Sequence, residues 1–68
     1  MSNGIKVALA KEEGKLVRQI ANRDSTIAAL EVLGDDARMR GNLDRQEQAI
    51  KDTEANIAKL SKAVKALK

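Results

Sequence analysis

The sequence contains no cysteine, no histidine, no aromatic residue and no proline. Each absence closes a class of explanation. Without cysteine there is no disulfide and no thiolate metal site. Without histidine the commonest zinc ligand is missing, and so is the side chain most often poised to move protons near neutral pH. Without Phe, Tyr or Trp the chain lacks the rings that fill small cores and those on which single-stranded nucleic acid stacks. Without proline nothing forces a helix to break. No apolar run approaches the roughly 18 residues of a membrane span. The Leu60, Val64, Leu67 face is too small, and too poor in rings, for a surface anchor, so no membrane contact is expected. The opening Met1-Ser2-Asn3-Gly4 does not lead from basic residues into an apolar stretch, so no secretory signal is read there. Ser2 stands where a myristoylation signal needs glycine. The expected location is cytoplasmic.

Catalytic chemistry has little to stand on. Only carboxylates and lysines remain as acid–base groups, and a thin helical scaffold has little interior with which to shift them. Ser2, Ser25 and Ser61 have no base beside them in sequence. Neither the G-x-x-x-x-G-K-[ST] nor the G-x-G-x-x-G phosphate loop occurs. Asp35-Asp36 fails the spacing of a calcium-binding EF-hand loop. A non-enzymatic protein is expected, with no cofactor, no metal and no small-molecule substrate.

What is present is helix-forming. Ala, Leu, Glu, Gln, Lys and Arg dominate, all strong helix formers, in the proportions of a long-helix or coiled-coil protein. The chain has 68 residues, enough for one small domain. A domain of this size buries only about 60% of the surface its unfolded chain exposes, so it usually needs a disulfide, a metal or a partner chain. With the first two excluded, association remains.

The apolar residues recur at helical spacing. At about 100° per residue, Ile5, Leu9, Leu16, Ile20, Ile27 and Leu30 fall on one stripe of the first half. Leu9, Leu16 and Leu30 take d positions of a heptad, and Ile20 and Ile27 take a positions. In the second half Met39, Leu43, Ile50, Ile57, Leu60 and Val64 form the matching stripe. Arg23, Gln46 and Thr53 are polar residues at stripe positions. Gly34-Asp35-Asp36 breaks the pattern between the halves: glycine ends helices and aspartate begins them. The reading is all-α. It has one helix over about 4–33, a turn over about 34–36 that could extend to Gly41-Asn42, and a second helix over about 36–67. Together they make a single antiparallel, coiled-coil-like hairpin domain. Gly14 and Gly41 mark places where a helix could bend or restart.

A turn centred near residue 35 pairs residues whose numbers sum to about 70. That sets Ile20 against Ile50 and Ile27 against Leu43. It also sets Arg23 near Glu47, Lys15 near Glu54, and Glu12 and Glu13 near Lys59.

A second seam, Ala10, Val17, Ala21 and Ala28, lies beside the first stripe on helix 1. It widens the apolar arc beyond the ~100° of an ordinary one-sided helix. It points to self-association, with a dimer closing a four-helix bundle, or to a protein partner. Two basic clusters are candidate contacts for nucleic acid or an acidic partner. One is Lys11, Lys15 and Arg18, with Asn22, opposite the apolar stripe. The other is Lys59, Lys62, Lys65 and Lys68. The bland readings are a solvated face for the first and helix-dipole complementarity for the second. Three functions follow in order: a small interaction protein acting as adaptor, inhibitor or assembly factor; a dimeric nucleic-acid-binding regulator; and a structural coiled-coil component of a larger particle.

Overall fold

The structure is a computed structural model that describes the backbone of residues 2–34 and 36–67 and the side chains of residues 4–34 and 36–67. The expectations placed on Asp35 and Lys68 lie outside these residues. Two helices, α1 (Ser2–Leu33) and α2 (Ala37–Ala66), pack against each other as a hairpin. The molecule is a rod of 50 × 14 × 13 Å. Its length is that of one helix of about 32 residues at ~1.5 Å per residue. Neither interior glycine interrupts a helix: α1 runs unbroken through Gly14 and α2 through Gly41.

The reversal is built by local chemistry. Gly34 adopts φ 88°, a left-handed conformation that a side chain would disfavour by about 1–2 kcal/mol. Its N–H donates to the Leu30 carbonyl at 2.9 Å, satisfying one of the carbonyls orphaned at the end of α1. Asp36 is extended and caps α2: its Oδ1 accepts from the Arg38 N–H at 2.8 Å and the Met39 N–H at 3.4 Å. The join is therefore the short one, ending before residue 37.

The register differs slightly from the one read off the sequence. Asn56 Nδ2 donates to Glu12 Oε1 across the hairpin at 3.2 Å, so facing numbers sum to 68 there instead of 70. On α2 the covered residues are Met39, Leu43, Gln46, Ile50, Thr53, Ile57, Leu60 and Val64, alternating in steps of four and three. On α1 the same steps run through Ile5, Leu9, Glu12, Leu16, Gln19, Arg23, Thr26 and Leu30, all half-buried. Ile20 is half-buried beside this line, whereas Ile27 is 36% exposed at its rim.

That is a correction to the expected stripe, and it has a physical cause. Seven-residue steps back from Ile27 and Ile20 lead to Glu13 and Lys6, which have no partner in the seam and stay exposed. The competing row is Ile5, Glu12, Gln19 and Thr26. Two of its polar members bring their own satisfaction. Glu12 accepts from Asn56, and Thr26 Oγ1 donates to the Asn22 carbonyl at 3.1 Å. Polar groups enter an interface at low cost when they are hydrogen-bonded.

The expected cross-helix ion pairs do not form among the described residues. Arg23 pairs with its neighbour Asp24 at 3.1 Å, and Lys15 with Glu12 one turn away at 4.0 Å. Exposed pairs contribute about 0–1 kcal/mol, too little to pull the register toward Glu47, Glu54 or Lys59.

The core is thin. Ile50, at 5% exposure, is the buried hydrophobic residue, and Thr53, at 1%, lies one turn further along the same helix. Replacing Ile50 with alanine should therefore cost about 2–4 kcal/mol. Ile27→Ala at the rim should cost under about 1 kcal/mol. Chemical denaturation of the two variants checks the order, and equal losses would return Ile27 to the seam centre.

Candidate functional site

No pocket in this molecule resembles a catalytic centre, so the candidates are surfaces. Among the described residues no group of three or more His, Cys, Asp or Glu is placed to hold a metal ion. No helix is long and apolar enough to cross a membrane.

The first surface is the back of α1. Ala10, Val17, Ala21 and Ala28 are all exposed, Val17 at 68%. They do not lie beside the seam, as the sequence reading placed them. At about 100° per residue they project from the face almost opposite α2. The rotation of the seam toward Glu12, Gln19 and Thr26 carries them there. Exposed Glu13, Asp24 and Glu31 lie between this face and the hairpin seam.

Four further residues complete the face. Val7 is 53% exposed and Val32 is 83% exposed. Gly14 has nothing within 4 Å of where a side chain would begin, and Ser25 is exposed. The sequence held a signal for them. Ala10, Ala21 and Val32 are spaced by eleven, as are Val17 and Ala28, and Gly14 and Ser25. An eleven-residue step runs almost straight along a helix. A strict seven-residue step loses Val32, because it carries Ala28 to position 35.

The second surface is electrostatic. Lys11, Lys15 and Arg18 are exposed and lie on a flank of α1, about a quarter-turn from the seam. They are not opposite it; that position belongs to the apolar face. Lys59, Lys62 and Lys65 are exposed on α2. The antiparallel fold brings both clusters to the end of the rod away from the turn. Residues 1–18 and 52–68 carry eight basic and four acidic residues; residues 19–51 carry five basic and six acidic. The chain's net charge of +3 is thus concentrated at one end.

The third is an open cleft of about 320 Å³ near the turn, lined by Ile27, Leu30, Glu31, Arg40 and Leu43. It exists because Ile27 sits at the rim. Two acceptors within the seam stand out as well. Gln19 Oε1 and Gln46 Oε1 are sequestered without a hydrogen-bond partner. An unsatisfied acceptor costs about 1–3 kcal/mol, which further weakens a hairpin whose core is already thin.

With these surfaces defined, comparison with known proteins adds no assignment: no protein family, curated protein or solved structure matches the chain.

Proposed function

We propose that the chain is a small, non-enzymatic interaction protein of the cytoplasm. In this reading two hairpins pair to bring four helices together. The pair then holds another protein as an adaptor, inhibitor or assembly factor. The observation that carries the reading is the uncovered apolar face of α1, from Val7 to Val32. Surface area supports it. A compact monomer of this mass exposes about 4,200 Å², whereas the hairpin exposes 5198 Å². The excess, about 1,000 Å², is close to the ~800 Å² each partner contributes to a stable protein interface. Light scattering with refractive-index detection tests the pairing, since a chain without Trp or Tyr is nearly invisible at 280 nm. The expected result is a mass of two chains at both low and high salt. A single-chain mass at concentrations of tens of micromolar would overturn it.

A second reading is favoured by one observation, the convergence of the two basic clusters at one end. A dimer would present the set twice, and Lys11, Lys15, Arg18, Lys59, Lys62 and Lys65 could then straddle a phosphate backbone. This reading predicts that affinity for a short DNA duplex falls roughly a hundredfold between 50 and 200 mM salt, for about four phosphate contacts. Affinity that survives the change of Lys15 and Arg18 to glutamate would dispose of it.

A further inference from the structure

We propose that the apolar face of α1 is covered by the same face of a second copy, with the two α1 helices antiparallel. The four helices would then form a row, α2–α1–α1–α2, and not a closed square bundle. This rests on the self-association proposed above and names the surface and geometry that carry it.

The row follows from angles. In a square bundle each helix touches its two neighbours through faces about a quarter-turn apart. Here the face touching α2 and the free apolar face lie on nearly opposite sides of α1. A partner seated on the free face therefore extends the layer.

Self-complementarity selects the occupant. A two-fold contact requires that residue i meet j and j meet i. The face runs from Val7 to Val32, so an antiparallel overlap pairs numbers summing to about 39. Val7 then meets Val32 of the other copy, Ala10 meets Ala28, Gly14 meets Ser25 and Val17 meets Ala21. The larger side chains close the two ends of the contact, and the small ones between them let the helix axes approach to about 8 Å. The eleven-residue spacing keeps the line straight, so the helices need no supercoil to stay in contact.

Charge selects the direction. The first half of α1 holds Lys6, Lys11, Lys15 and Arg18 against Glu12 and Glu13; the rest holds Arg23 against Asp24 and Glu31. Antiparallel pairing lays the basic half of each helix over the acidic half of the other. It also brings Lys6 toward Glu31, twice by symmetry. Glu13 comes near Asp24, whose carboxylate is already paired with Arg23 at 3.1 Å. Parallel pairing would set basic half against basic half, and like charges side by side are unfavourable. The available area matches too, since the excess exposed surface is about what one partner contributes to a stable interface.

Cysteine cross-linking tests this directly, because the chain has no cysteine of its own. Ala10→Cys and Ala28→Cys are made separately and oxidised mildly, alone and mixed. Both positions are exposed in the hairpin, so neither substitution should disturb its fold. The expected result is a covalent dimer in the mixture and none from either variant alone, because residues facing themselves would be about 27 Å apart along the axis. Covalent dimers from each single variant would mean parallel pairing and would overturn the proposal. A two-chain mass with no cross-link in the mixture would also overturn it while leaving self-association intact. A single-chain mass would sink both. As a second check, Ala21→Arg should reduce the mass to one chain. A two-chain mass in that variant would count against this face.

Discussion

Two helices side by side can hide only one line of side chains from water. Every other feature of this molecule follows from that constraint. The seam covers one edge of each helix, and along it only Ile50 and Thr53 are buried outright. Burying an aliphatic side chain is worth about 1.5–3 kcal/mol, while ordering a residue's backbone costs about 1–2 kcal/mol. Half-buried leucines and isoleucines, diluted by Glu12, Gln19, Arg23, Gln46 and Thr53, leave the isolated hairpin with little margin. The sequestered oxygens of Gln19 and Gln46 narrow it further. Stability has to be sought outside the single chain, and the back of α1 is where the molecule has apolar surface to offer.

Much of the fold was legible in the sequence because its signals are local. Gly34 and Asp36 announce the turn through the conformations they favour, and both perform the expected capping. The α2 stripe, from Met39 to Val64, repeats without interruption and can be read directly. On α1 the reading slipped by a small rotation. Two rows compete for the seam there, and apolarity alone favours the one with Ile20 and Ile27. The outcome is decided by whether the polar members of each row can be satisfied. The Glu12–Asn56 contact spans 44 positions and no periodicity reveals it.

The surfaces were less legible than the fold for the same reason. The residues of the second seam were visible as a group, but their direction depends on where the first seam faces. A rotation of a few tens of degrees moved Ala10, Val17, Ala21 and Ala28 from beside the seam to behind it, and moved the lysine stripe from behind to the flank. Likewise, the two basic clusters are far apart in sequence, and only the antiparallel topology brings them to one end. The direction of a face decides what geometry of partner it accepts. For α1 that means a neighbour extending the layer, with the outward, polar side of α2 left on both outer edges of the assembly. That polar side and the basic end remain as the regions through which the assembled protein would meet other molecules.

The central claim is that the hairpin draws its stability from a second copy of itself. Thermal unfolding followed by circular dichroism over a hundredfold range of protein concentration tests it most directly, since binding the folded form makes the transition concentration-dependent. The account predicts a Tm that rises steadily with concentration and helicity that declines on dilution. A single sharp transition at the same temperature throughout the range would show a hairpin that is stable alone and would contradict the account.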